Sequence, residues 1–263
     1  MLKLYHHNIS VCAQKVRLQL AEKRIPYEVV DVDLMRGEHL QPAYLKINPK
    51  GLVPALVHDG APVVESTVIM EYIEDVFPEP PLRPAAALDR ARMRQWAKVP
   101  DDGIHVACAS VTYAAAFADQ LKKNHTPEEM EQRLARMPDR ARAERQRQIL
   151  ELGFEAPFVR DAVLLHDKML ADMEKALADD PWLAGREFSL ADIAIAPYVT
   201  RLNRLGLDGM WASRPRVADW FARVRARPSF DAAITAFQPD RYDDQLRKRG
   251  VDVWPQVKAL LAS

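Results

Sequence analysis

Two cysteines, Cys12 and Cys108, are too few and too far apart for a disulfide framework, and they have no metal-ligand spacing. Neither a disulfide scaffold nor a metal is expected. A charge of one sign is also lacking, because Lys plus Arg and Asp plus Glu each total 37. That balance leaves no field to gather nucleic acid or an anionic membrane surface. No apolar run is long enough to cross a bilayer and no charged-then-apolar leader opens the chain, so the cytoplasm is the expected compartment. Glycine is scarce, nine residues against nineteen prolines, while stretches rich in Ala, Leu, Arg and Glu are long. The expectation is a mostly helical chain punctuated by prolines. With 263 residues, 48% of them hydrophobic, it can form one large domain or two small ones with a packed core.

The first eighty residues alternate between β-like and helical patterns, and everything later has a helical period. Leu2 to His6 and Tyr27 to Leu34 are β-branched or aromatic runs, and between them Val16, Leu18, Leu20 and Ala21 fall on helical spacing. Strand, helix, strand predicts two parallel neighbouring strands. A weakly helical, proline-containing stretch, HLQPAYLKI, follows. PALVHD and APVVE are then joined through Asp59-Gly60, the dipeptide of a tight hairpin. Ser66 opens STVIMEYIEDVF, in which Val68, Ile69, Tyr72, Ile73 and Val76 make one apolar face. The order is βαβαββα, assigned to residues 1–78.

FPEPPLRPAAALD has four prolines and cannot continue a helix, so residues 79–88 read as a linker and 89–263 as an all-helical domain. A long helical pattern from Leu88 bends near Pro100. Another helix starts at Thr126-Pro127-Glu128-Glu129, where the threonine caps, the proline fits the first turn and Glu129 closes a capping box. Further helices are predicted at about 140–152, 156–179, 190–205 and 215–226, with a short one near 229–237. Six arginines between Arg133 and Arg147 are balanced by Glu128, Glu129, Glu131, Asp139, Glu144 and Glu151, which reads as a salt-bridged solvated helix rather than a phosphate site. In FSLADIAIAP, Ser189 and Asp192 stand at capping-box spacing before an apolar run and are structural, not catalytic.

Three motifs carry a resemblance: YHHNISVCAQKVRLQL, GLVPAL followed by VVEST, and FSLADIAIAPYV. Together with the βαβαββα order, the proline-rich linker and the helical remainder, they resemble the cytosolic glutathione transferases. The resemblance implies an N-terminal thioredoxin-like α/β domain, an all-α C-terminal domain, and glutathione as co-substrate without a metal. It implies a cis Val53-Pro54 bond whose Val53 backbone pairs with the cysteinyl unit of glutathione, with Glu65 and Ser66 at the γ-glutamyl end. Ser66 at a helix N-terminus would favour a carboxylate. Lys50 and His39 flank the second helix, where a cation could reach the glycyl carboxylate; an ordinary surface lysine is the competing reading.

Glutathione's thiol, with a pKa near the ~8.5 of free cysteine, is mostly protonated at neutral pH. A hydroxyl at a helix start could lower that pKa by about one to two units, roughly 1.4–2.8 kcal/mol. By alignment of KVR with the arginine-containing helix of serine-type and cysteine-type members, Ser10 falls on the activating position. Cys12 is the alternative, through a mixed disulfide and thiol transfer. Tyr5 stands behind both, and His6 and His7 are unassigned. The second-substrate face would draw on Trp96, Tyr113 and Phe117, with His105 and Cys108 nearby, although aromatics at helical spacing are commonly core. The resemblance further implies a homodimer acting on a small hydrophobic electrophile, with neither nucleic acid nor membrane as partner. The segment 119–155 with INPKGLVPAL looks like bacterial glutathione-dependent β-aryl etherases. Conjugation, ether cleavage, thiol transfer and a non-catalytic module of the same fold stay open at this point.

Overall fold

A computed structural model describes residues 1–238 and 242–262, with backbone alone at 242–245. The chain forms two compact units: Met1–Val99 with Ala176–Pro197 and Asp219–Pro239, and Pro100–Lys175 with Tyr198–Ala218 and Asp240–Ser263.

The first unit begins β1 (Leu2–His6), α1 (Val11–Glu22), β2 (Glu28–Asp31), α2 (Pro42–Leu45), β3 (Ala55–His58), β4 (Ala61–Val64) and α3 (Ser66–Val76). The strands lie in the order β2-β1-β3-β4, with β1 parallel to β2 and antiparallel to β3. Asp59 and Gly60 both take positive φ, 48° and 89°, as the two-residue hairpin between β3 and β4 requires. Leu2 and Leu4 on β1, Val16 and Leu20 on α1, Leu56 on β3, and Ile69 and Ile73 on α3 form the core. Each such side chain contributes about 1.5–3 kcal/mol on burial.

The apolar spacing seen in α1 is only part of its interior. Lys15, Arg17 and Gln19 are also fully buried, and every one has a partner. Lys15 donates to Thr67 Oγ1 at 3.0 Å, Gln19 to the Met70 carbonyl at 2.8 Å, and Lys23 pairs with the buried Glu74 at 2.7 Å. Spaced four residues apart, these three put a polar seam along the α1–α3 contact.

The unit continues with α4 (Ala87–Lys98). It later takes in the first part of α10 (Leu190–Arg204), most of α11 (Pro215–Arg225), and α12 (Pro228–Ala233). Asp192 accepts from the Ser189 N–H at 3.0 Å, as a capping box predicts. It also accepts from the Leu183 N–H at 3.0 Å and the Trp220 indole at 2.8 Å. The Ser189 hydroxyl takes the Ala191 N–H at 3.3 Å instead of the Asp192 N–H that the spacing suggests.

In the second unit α5 (His105–Thr112), α6 (Ala118–Asn124), α7 (Pro127–Ala135), α8 (Arg140–Leu152) and α9 (Pro157–Ala176) follow one another. The bend expected near Pro100 is a π-helical turn, Pro100–Ile104, in which Gly103 at φ 135° carries the kink. A second π turn, Tyr113–Phe117, joins α5 to α6. The Thr126/Glu129 capping box at the start of α7 is present on both sides. A final helix, α13 (Tyr242–Ala262), lies where no element was expected.

Candidate active site

Sheet register gathers the candidate residues. Tyr5 of β1 pairs with Ala55 of β3, and Ala55 pairs with Val64 of β4. The end of β1, the start of β3 and the end of β4 therefore lie side by side. The loops that carry Ser10, Val53-Pro54 and Glu65-Ser66 leave the sheet at this one end.

Ser10 is the N-cap of α1, with its Oγ accepting from the Ala13 N–H at 3.3 Å and its own N–H donating to the His7 carbonyl at 3.0 Å. It is half-buried, so its hydroxyl is held at the positive end of a helix without being sealed off. Cys12, half-buried, is the second residue of α1; Cys108 is buried in the second unit.

Sequence reasoning gave Arg17 no role beyond alignment, yet it organises this loop. Its guanidinium, wholly buried, donates to the Asn8 carbonyl at 2.8 Å, to His6 Nδ1 at 2.6 Å and to the Ala233 carbonyl at 2.7 Å. It also lies 4.3 Å from the Phe237 ring centroid. His6 accepts from Arg17 through Nδ1, so its ring proton sits on Nε2. Burial, with Arg17 and His7 adding to it, pushes the His6 pKa down to about 3. The sequence carried no signal that singled Arg17 out, because Gln14, Lys15 and Gln19 make α1 polar on either side of it.

Val53-Pro54 is cis. Among the described residues, the Val53 N–H and C=O make no hydrogen bond, which leaves a donor and an acceptor for an incoming peptide. The preceding carbonyl, that of Leu52, is fixed by Tyr44 Oη at 2.6 Å and Asn48 Nδ2 at 2.8 Å. Gly51 sits at φ 58°, where an added Cβ would come within 3.1 Å of the His39 carbonyl. Glu65 occupies the N-cap position of α3 at φ 69°, ψ 110°, a conformation that costs a non-glycine residue about 1–3 kcal/mol and is concentrated at functional sites. Its carboxylate accepts from Lys50 Nζ at 2.7 Å, and that contact raises the Lys50 pKa. Ser66 is the first residue of α3, and no side chain caps that helix. His39 is 1% exposed, unlike the exposed Lys50.

Of the second-substrate candidates, Trp96 is half-buried on α4 in the first unit. Tyr113 and Phe117 are half-buried in the second, their rings edge to face at 5.5 Å. Among the described residues no group of His, Cys, Asp or Glu side chains could hold a metal ion, and no helix is long and apolar enough to cross a membrane.

Residues 4–81 match the family described as glutathione S-transferase, N-terminal domain, and residues 167–223 match glutathione S-transferase, C-terminal domain. The chain is 31% identical to Protein LigF of Sphingobium sp. over 96% of its own length and 99% of that protein's. It belongs to the glutathione S-transferase family. A maleylacetoacetate isomerase of Pseudomonas aeruginosa is 32% identical over 91% of this glutathione S-transferase and 98% of the isomerase. The crystal structure of β-etherase LigF superposes with a TM-score of 0.81 at 32% identity, covering 89% of this chain and 99% of the other.

Proposed function

We propose that the first unit binds glutathione across the three loops at the end of its sheet and stabilises its thiolate, which attacks a hydrophobic aromatic electrophile. The register that brings the Ser10, Val53-Pro54 and Glu65-Ser66 loops to one end is the observation that carries this reading. Val53 pairs with the cysteinyl backbone. Glu65 accepts from the γ-glutamyl ammonium while the uncapped first turn of α3 at Ser66 takes its carboxylate. Lys50 then meets the glycyl carboxylate, which requires the Lys50–Glu65 pair to open. His39, being buried, shapes the Gly51 turn in this account, while Cys12 stands beside the reaction and not in it.

Ser10 donates its hydroxyl hydrogen to the sulfur, adding to the field of the α1 N-terminus. The thiol proton leaves to water, the thiolate forms a bond to carbon, and the leaving group departs with the electron pair. The candidates for electrophile contact are Tyr113 and Phe117 on the second unit and Trp96 on the first. Replacing Ser10 by Ala is expected to lower kcat/KM for chlorodinitrobenzene about 10- to 100-fold, matching a pKa effect of roughly one to two units. Unchanged turnover would remove Ser10 from the mechanism.

Likeness to LigF along nearly the whole of both chains favours a second reading of the same site. There the thiolate attacks the carbon bearing an aryl ether and a phenolate leaves. Release of a phenol from an aryl ether in the presence of glutathione is the assay that separates the two. We further place the protein in the cytoplasm as a homodimer, a state that sedimentation reads directly. Exposed Val68 and Val76 on α3 are apolar residues such a partner could cover.

A further inference from the structure

The arginine-rich segment is a salt-bridged surface only in part. Arg147 donates to both Glu131 and Glu144, and Arg140 to the Ala135 carbonyl. Arg142 differs. It is half-buried, and among the described residues its guanidinium makes neither a hydrogen bond nor an ion pair. Asp139 and Tyr113 favour its charge, while burial and the neighbouring Arg133 and Arg145 oppose it. Asp139, the carboxylate beside it, is already engaged as the cap of α8, accepting from the Arg142 N–H at 3.0 Å. The N-terminal end of α8 adds positive potential of its own. A partly desolvated guanidinium in such surroundings lacks the counter-charge that normally accompanies burial.

Two further observations point to what supplies it. Gln146, one turn beyond Arg142 on the same face of α8, is 7% exposed with an unpartnered Oε1. Among the elements that α8 packs against is the π turn that carries the Tyr113–Phe117 ring pair. Such turns inside helices are frequent at functional sites.

We propose that Arg142, Gln146 and Tyr113 form a recognition point for a carboxylate on an aromatic substrate. Arg142 offers its two-pronged donor set to the carboxylate oxygens. Gln146, whose amide can rotate to present its N–H2 group, adds a further donor, and the substrate ring lies against Tyr113 and Phe117. This inference rests on the reading that the second unit presents the electrophile, and it narrows that electrophile to an aromatic acid.

The test uses the full chain with chlorodinitrobenzoate and its neutral methyl ester as electrophiles. The wild-type protein is expected to have the lower KM for the acid. Arg142→Gln should raise that KM by about tenfold or more, the scale of a lost hydrogen bond to a charged group. It should leave the ester within about twofold and the glutathione KM unchanged, and Arg142→Lys should restore part of the loss. Equal effects on acid and ester, or no preference in the wild type, would overturn the proposal. Calorimetric binding of unreactive dinitrobenzoate without glutathione separates the two readings. Binding lost in Arg142→Gln upholds this site even if the protein turns over neither electrophile, whereas equal binding by both proteins overturns it.

Discussion

His6 is a histidine that cannot easily become charged. Its ring is 2% exposed, its Nδ1 faces the Arg17 guanidinium, and its pKa is pushed down to about 3. The unfolded chain therefore binds a proton at His6 that the folded chain refuses between about pH 6.5 and 3. The stability tied to it is fully present above pH 6.5 and is lost as pH falls through that window. In urea unfolding, this one group should cost about 2 kcal/mol between pH 7 and pH 5, and His6→Gln, which keeps an acceptor for Arg17, should flatten that slope. Arg17 carries a different expectation. Arg17→Lys keeps the charge but cannot reach Asn8, His6 and Ala233 together, so the Ser10 loop should lose its fixed position. We expect kcat/KM to fall about tenfold with its pH profile displaced upward, as a less stabilised thiolate requires. A lower Tm with an unmoved pH profile would reduce Arg17 to a structural residue.

At the scale of elements, the local signals in the sequence were the dependable ones. The Asp59-Gly60 hairpin, the Thr126/Glu129 capping box and the order βαβαββα all depend on neighbours within a few residues, and all are present. Partners far along the chain were not legible. Nothing near Asp192 announces that it also holds Leu183 and Trp220, and nothing in KVR announces a bond to Ala233. The α13 helix was missed because its charged start and internal Pro255 obscure the apolar period. Its docking depends on a close backbone approach: a Cβ on Gly250 would fall 1.1 Å from the Leu205 carbonyl oxygen. Gly250→Ala should therefore force this crossing apart, with a loss of about 1–3 kcal/mol or more in thermal unfolding and earlier proteolytic cleavage of the C-terminal helix. A variant as stable and as resistant as the wild type would show that the contact is not needed.

For the whole molecule, family membership sets the chemistry expected of the first unit, and the sheet register brings widely separated motifs to one end of the sheet. Ser10, Val53 and Glu65 lie more than fifty residues apart at their extremes, yet their loops leave adjacent strand ends. The choice of electrophile is proposed to depend on side chains that no motif marks, Arg142 and Gln146 among them. The central claim is that this end of the sheet holds glutathione as a thiolate with Ser10 as donor. The direct measurement is a pH titration of the ultraviolet thiolate absorbance of bound glutathione. The account predicts an apparent pKa about one to two units below the ~8.5 of a free thiol in the wild type, and a return toward that value in Ser10→Ala. An unshifted pKa in the wild type, or the same lowered pKa in both proteins, would contradict it.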